Sequence, residues 1–183
     1  MALQRICDPM LPELSRVFSA PISEASRVIS FFAIAYGLMQ LFYGPVGDRL
    51  GKYRVVMLAT IGCSVGCVLS ALSADLTFLV AARVGTALAA AAIIPLSLAW
   101  VGDVVHYEHR QETLARVGLG TMLGITAGQL FGGLLTDTLG WRWAFVMMAC
   151  FFWTVSFLLW RHWKKLDASH HQHHISAGFF KQL

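Results

Sequence analysis

Five long apolar stretches, separated by short polar segments, limit what this chain can fold into more than any other feature. They span residues 28–47, 55–73, 76–101, 117–135 and 143–160. A helix needs about 20 residues to cross about 30 Å of hydrocarbon, and all five stretches come close to that length or exceed it. Because lipid offers the backbone no hydrogen-bond partners, each stretch is expected to be a helix. The sequence therefore predicts an all-α transmembrane fold in a lipid bilayer.

The composition supports this interpretation. Hydrophobic residues make up 57% of the 183-residue chain and charged residues only 13%, which is about half of the charged share in soluble domains. We expect one transmembrane domain over residues 1–166 and a cytoplasmic tail over residues 167–183. None of the sequence motifs indicates a cofactor, so none is expected.

The distribution of cations predicts the orientation of the spans. Nine lysines and arginines follow spans one, three and five, and three lie on the opposite side. The nine are Arg49, Lys52, Arg54, Arg110, Arg116, Arg161, Lys164, Lys165 and Lys181, and the three are Arg16, Arg27 and Arg142. By the positive-inside rule the cation-rich side is cytoplasmic, as expected for a multi-pass protein of the plasma (inner) membrane. Because the cations are spread over three loops, no nucleic-acid partner is expected.

The most distinctive motif is GPVGDRLGKYR at residues 44–54, which follows a charge-free run from Val28 to Tyr43. It resembles the signature of the major facilitator superfamily in the cytoplasmic turn after transmembrane helix 2, Gly-x-Leu-Ala-Asp-Arg-x-Gly-Arg-Arg/Lys. The matching residues are Gly44, Asp48, Arg49, Gly51 and Lys52, and Arg54 follows a tyrosine at a position that is usually basic. The resemblance implies a cytoplasmic gate that latches the two halves of a transporter.

Two further stretches extend the resemblance over nearly the whole chain. LVAARVGTALAAA at 79–91 is similar to the helix 4 motif Arg-x-x-Gln-Gly-x-Gly-Ala-Ala, with Arg83 at the arginine. GITAGQLFGG at 124–133 is similar to the helix 5 motif of the antiporter branch, Gly-x-x-x-Gly-Pro-x-x-Gly-Gly, with Gln129 in place of proline. The resemblance implies the general substrate transporter fold of this superfamily. The spans would be helices 2–6 of its N-terminal half, and residues 1–14 the outer end of helix 1.

The resemblance also implies a function. Such transporters move a small solute by rocking two six-helix halves around a site near the midplane, and the helix 5 motif favours proton-coupled efflux. A sugar or metabolite permease and a non-transporting membrane interaction subunit are the alternatives. No enzyme is expected, because the spans hold neither a buried serine–histidine pair nor paired carboxylates. Since the chain is expected to be an incomplete half, we predict that it transports only with a missing C-terminal half or a partner subunit.

Three charges near the gate motif are predicted to form a switchable network. Asp48 lies at a helix end, and Asp103 directly follows span three on the same side of the membrane. We expect both carboxylates to interact with Arg54, while Arg49 and Lys52 help to hold the cytoplasmic register. The glycines of the motif would allow a tight reversal of the chain. The alternative is that Asp103 is an ordinary solvated carboxylate.

Arg83 is the most costly residue in the spans, because it lies seven positions into span three. A charge at the centre of a transmembrane helix costs roughly 2.5–3.5 kcal/mol on insertion scales, so such residues usually face a cavity or a partner. The resemblance ties this arginine to proton coupling, with Asp8 as a candidate coupling carboxylate. The alternative is that Arg83 extends its side chain to the membrane surface.

Span four carries a stripe of glycines spaced four residues apart. The stripe consists of Gly120, Gly124, Gly128 and Gly132, and Gly133 widens it. Small residues at this spacing let helix backbones approach closely. The sequence leaves open whether the stripe packs against the opposite half of a transporter or inside this half.

Three other patterns have simpler interpretations. GCSVG at 62–66 fits a nucleophile motif, but it lies inside a span without a buried histidine. HHQHH at 170–174 contains metal-binding side chains, yet a solvated tail is expected there and no metal site is predicted. The cysteines show neither disulfide nor zinc spacing and are expected to pack as small apolar residues; they are Cys7, Cys63, Cys67 and Cys150.

Overall fold

The computed structural model describes the backbone of residues 2–179 and the side chains of residues 2–163. Every element in this part of the chain is a helix. The order is α1 (Ala2–Arg5), α2 (Leu11–Val17), α3 (Ile22–Ala25), α4 (Arg27–Leu50), α5 (Lys52–Ala71), α6 (Leu76–Ala90), α7 (Ile93–Val104), α8 (Tyr107–Thr138) and α9 (Trp141–Phe179). The segments long and apolar enough to cross a membrane are Ile22–Leu50, Lys52–Ala71, Leu76–Val104, Tyr107–Thr138 and Trp141–Trp163. The five predicted spans are therefore confirmed. The predicted tail and its histidines lie outside the described side chains.

The turn between spans one and two begins later than the sequence predicted. α4 continues through Gly44, Pro45 and Gly47 and ends only at Leu50. A proline inside a transmembrane helix removes one backbone hydrogen bond. The helix tolerates this loss when neighbouring groups bind the freed carbonyl. The turn consists of Gly51 alone, whose φ is +88°, a backbone conformation that glycine adopts at little cost. The predicted turn between spans one and two, residues 48–54, is therefore reduced to Gly51.

Span three consists of two helices rather than the single predicted one. The helices α6 and α7 are separated at Ala91 and Ala92. Pro95 accounts for the break, because a proline has no N–H to donate to the carbonyl four residues earlier, which belongs to Ala91. The start of α6 is defined by a side-chain cap, since the Asp75 Oδ1 accepts a hydrogen bond from the Phe78 N–H at 2.7 Å.

The central helix α5 packs against α6 on one side and α9 on the other. Small residues make this possible. A Cβ at Gly62 would lie 2.9 Å from an alanine side chain of α6, and a Cβ at Gly66 would collide with Thr86. Ser64, between these glycines, is buried and donates a hydrogen bond to the Ala149 carbonyl at 3.0 Å. The GCSVG stretch is therefore a helix-packing motif whose hydroxyl is bound to backbone.

Residues 2–18, called here the N-terminal segment, lie inside the bundle. The segment forms the short helices α1 and α2 with turns between them, so it is not the single helix end that was predicted. Pro9 explains the interruption, because proline disfavours helical backbone at the residue before it. The segment fills the main core together with side chains of α4 and α9; its fully buried members are Ile6, Cys7, Met10 and Leu14.

Candidate functional site

The gate motif brings two carboxylates from different helices to one lysine. The Lys52 Nζ lies 2.5 Å from the Asp103 Oδ2 and 3.8 Å from the Asp48 Oδ1. Lys52 thus bridges the last turns of α4 and α7. Arg54, which the sequence placed in this network, turns away, and its guanidinium lies 4.8 Å above the Trp163 ring of α9. The structure thus brings Asp48 and Asp103 together, but through Lys52 in place of Arg54.

Local geometry explains why Lys52 takes this position. Lys52 is the first residue of α5 and follows Asp48 by four positions across the single-residue turn at Gly51. Gly47 gives α7 room to approach, because a Cβ there would collide with Leu96. The Asp48 and Asp103 side chains remain 71% and 57% exposed. Water therefore screens the pairs, and each contributes little to stability.

The other residues of the gate motif make fewer contacts. Arg49 is exposed, and it belongs to none of the ion pairs among the described side chains. A Cβ at Gly44 would meet open space, as would one at Gly51. Of the three glycines in the motif, Gly47 is therefore needed for packing and Gly51 for its backbone conformation.

Arg83 lies in the interior of the helix bundle. Its side chain is fully buried, so it does not reach the membrane surface. The Nη2 donates a hydrogen bond to the Leu3 carbonyl of the N-terminal segment at 2.7 Å. The guanidinium lies 4.0 Å above the Phe32 ring and 5.8 Å from the Phe145 ring, and aromatic faces attract a cation. Its Nε and Nη1 have no hydrogen-bond partner among the described residues.

Asp8 does not meet Arg83 directly. Its carboxylate accepts hydrogen bonds from the Arg5 Nη1 at 3.2 Å and from the Gln129 Nε2 at 3.4 Å. Gln129 occupies the position that is proline in the helix 5 motif, so this departure from the motif supplies a side-chain donor. The N-terminal segment is thus held by Arg83 of α6 at Leu3 and by α8 at Asp8. Nothing in the sequence spacing indicated the second contact.

The glycine stripe of α8 receives the N-terminal segment. A Cβ at Gly128 would lie 2.8 Å from backbone atoms of Ala2, and one at Gly132 would lie 2.7 Å from the Ile6 carbonyl oxygen. Gly133 faces Pro9 more loosely, with 3.5 Å to the nearest atom, and Gly124 is 4.0 Å from the Ala2 nitrogen. The part of the stripe at Gly128 and Gly132 therefore packs against the N-terminal segment of the same chain. Around Gly120 there is open space.

That open space is part of a cavity of about 360 Å³ that is lined by the N-terminal segment and by residues of all six helices from α4 to α9. Its walls are mostly apolar. Hydroxyl groups are contributed by Tyr36, Thr60, Ser97 and Thr121. Binding sites for small organic molecules typically combine an apolar surface with a few polar groups that fix orientation.

Comparison with known proteins identifies the fold that carries these features. The family model described as Major Facilitator Superfamily matches residues 2–180. The chain belongs to the major facilitator superfamily. The resemblance to this family is thereby confirmed, and so is the all-α fold. PepTSo, a POT family transporter of known structure, has a similar fold: it superposes with a TM-score of 0.68 at 22% identity, covering 89% of this chain and 35% of PepTSo.

Curated members of the superfamily are similar in sequence. The uncharacterized MFS-type transporter YwfA of Bacillus subtilis is 27% identical over 76% of this chain and 34% of its own length. A triacylglyceride transporter of Mycobacteroides abscessus is 30% identical over 72% and 24%, respectively. Citrate exporter 1 of Aspergillus niger is 31% identical over 73% and 26%. The chain thus spans about a third or less of the length of these relatives. Together with its five long apolar helices, membership of this superfamily identifies the chain as an integral multi-pass membrane protein.

Proposed function

We propose that this superfamily member takes part in proton-coupled efflux of a small molecule by alternating access. The observation that carries the proposal is Arg83, a fully buried cation whose Nε and Nη1 have no partner in the part of the chain that the structure describes. A charge in this position is costly, and such residues in membrane proteins serve proton relays or substrate pathways. Efflux is further supported by the similarity to a protein named as a citrate exporter.

Asp8 is proposed as the group that takes up and releases the proton. Its side chain is 26% exposed, so water can reach it, whereas Arg83 is sealed in the core. Asp8 belongs to the N-terminal segment, and Arg83 is bound to the same segment at the Leu3 carbonyl. Protonation of Asp8 would weaken its attraction for Arg5 and its hydrogen bond from Gln129. The segment would then be held mainly by Arg83 and could shift against α8.

The bridge from Asp48 through Lys52 to Asp103 is proposed as the cytoplasmic latch, with Arg49 and Arg54 as flanking cations. Because these ion pairs are exposed and weak, they can break in every cycle without unfolding the helices. We expect Asp48→Asn to reduce transport by the native protein more than it reduces membrane abundance. Unchanged transport would exclude a latch at this position.

The chain is proposed to act with further helices as the N-terminal part of a two-half transporter in the plasma membrane, its charged turn and tail in the cytoplasm. The support is that it corresponds to about a third or less of its curated relatives. An epitope tag placed at residues 168–174 in the genome tests this directly. A membrane product near twice the 20.1 kDa of this chain indicates a second half on the same polypeptide. A product near 20 kDa directs the search to a partner subunit.

Transport and coupling are tested in inside-out membrane vesicles that contain the native gene product. The vesicles are energised, and release of their proton gradient is followed by acridine orange fluorescence after addition of ethidium, citrate or glucose. We expect ethidium or citrate to release protons, and Asp8→Asn and Arg83→Lys each to abolish the response. Arg27→Gln serves as the control, because it removes an exposed cation at the first residue of α4. A response to glucose alone would favour a sugar as the solute exchanged for protons, and a full response in Asp8→Asn would exclude Asp8 as the coupling group.

A further inference from the structure

A groove on the outer surface of the bundle, between α5 and α9, is distinct from the central cavity. It encloses about 320 Å³ and is lined by Ile61, Trp153, Ser156, Phe157 and Trp160. The Trp153 and Phe157 rings are parallel within 7° with centroids 6.4 Å apart, and the Phe157 and Trp160 centroids are 6.2 Å apart. Three aromatic rings thus form a continuous wall along α9.

The two walls of this α5/α9 groove are fixed to each other at both ends. Near the charged turn, the Tyr53 hydroxyl donates a hydrogen bond to the Leu159 carbonyl at 2.7 Å. Farther along, the Ser64 hydroxyl donates to the Ala149 carbonyl at 3.0 Å. The groove therefore exists before anything binds, which lowers the entropic cost of binding.

Two arginines lie at the end of the groove nearest the charged turn. Arg54 precedes Ile61 by seven residues, or about two helical turns, and so lies on the same face of α5. Its guanidinium is placed over Trp163, one turn beyond Trp160. Arg161 follows Phe157 by one turn on α9. Both arginines are exposed, and neither takes part in the ion pairs among residues 2–163.

We propose that the α5/α9 groove binds an anionic phospholipid. The phosphate group would lie between Arg54 and Arg161, and one acyl chain would lie along the aromatic wall. Basic sites between transmembrane helices, at the level of the headgroups, are suited to anionic lipids. The groove opens to the membrane, which supplies this ligand at high concentration. Assignment to the cytoplasmic leaflet depends on the orientation proposed above, whereas binding itself does not.

The test uses the purified chain in lipid nanodiscs and the fluorescence of its tryptophans. Bromine on an acyl chain quenches a neighbouring tryptophan. We titrate brominated phosphatidylglycerol, which is anionic, against brominated phosphatidylcholine, which carries no net charge. Because bulk lipid quenches any exposed tryptophan, the measured quantity is the ratio of the two apparent affinities. We expect the anionic lipid to be favoured, and Arg54→Gln and Arg161→Gln each to lower the ratio about five-fold.

Arg116→Gln is the matched control, because it also removes one exposed cation but on α8, away from the groove. Its ratio should equal that of the unmodified chain. Phe157→Ala should weaken both lipids by shortening the apolar wall and leave the ratio unchanged, and circular dichroism confirms that each variant is folded. A ratio near one in the unmodified chain would overturn the proposal. So would an equal loss in Arg116→Gln and Arg54→Gln, which would indicate a general effect of charge. Neither outcome involves protons or a transported solute, so failure here is distinguishable from failure of the proposed transport function.

Discussion

An alanine at Gly128 should detach the N-terminal segment from α8, whereas an alanine at Gly120 should not. At Gly128 the added Cβ would lie 2.8 Å from both the Cα and the carbonyl oxygen of Ala2, and 3.0 Å from its Cβ. Backbone atoms cannot rotate away as a flexible side chain can, so α1 as a whole must move. At Gly120 no atom lies within 4 Å of the added Cβ.

The magnitude follows from two opposing contributions. Overpacking a close contact costs about 1–3 kcal/mol, and replacing glycine by alanine inside a helix favours folding by up to about 1 kcal/mol. The second contribution is common to both variants. Their difference is therefore the overpacking cost, which corresponds to a change of about 5- to 150-fold in the equilibrium for local opening.

Cys7 reports on this opening, because it belongs to the N-terminal segment and is fully buried. In a chain whose other three cysteines are replaced by alanine, the rate of maleimide labelling at Cys7 measures how often the segment leaves the bundle. We expect labelling to be about 5- to 150-fold faster in Gly128→Ala than in Gly120→Ala. Equal rates in the two variants would refute the inference that the stripe receives the segment. A lower labelling rate in Gly128→Ala than in Gly120→Ala would show that α1 adapts to the added methyl group without leaving its site.

Three further substitutions test other parts of the structure. Arg83→Met removes a costly buried charge but also the hydrogen bond to the Leu3 carbonyl; because these contributions oppose each other, the thermal midpoint in detergent should change little while proton exchange is lost, and a strong drop would show that Arg83 is structurally required. Gly51→Ala forces a side chain into a backbone with φ of +88° and should cost roughly 1–3 kcal/mol, whereas Gly44→Ala should cost nothing; equal thermal midpoints would contradict this account of the turn. Ser64→Ala removes the hydrogen bond to Ala149 and should cost about 0.5–1.5 kcal/mol, and a fluorophosphonate probe should label neither form; labelling that depends on Ser64 would revive the nucleophile interpretation.

Hydropathy alone predicted the five spans, because a membrane imposes a length and an apolar surface on every helix that crosses it. The helix ends were less predictable. Gly44, Pro45 and Gly47 are typical turn residues in a soluble protein, yet α4 continues through them to Leu50. The break near Ala91 did have a signal in the sequence, which was Pro95.

The structure brings Asp48 and Asp103 together, but the sequence did not predict which cation meets the carboxylates. Lys52 and Arg54 are two residues apart on α5. With about 3.6 residues per turn, their side chains point in directions about 200° apart. One therefore faces α4 and α7, and the other faces α9. Which is which depends on how α5 is rotated in the bundle, and that rotation is set by long-range packing such as Gly66 against Thr86.

The contacts of the N-terminal segment join three of the sequence signals into one arrangement. Ala2 lies on Gly128 and Ile6 lies on Gly132, so segment and stripe advance together by four residues, as in two parallel helices. The segment also makes two polar contacts, from Asp8 to Gln129 and from the Leu3 carbonyl to Arg83. The bond at Asp8 is long, at 3.4 Å, and hydrogen bonds of this length are weak, whereas the bond at Arg83 is short and sealed from water. If Asp8 is the protonation site, the weaker of these two polar contacts is the one that a proton would break, and the segment would pivot about Arg83.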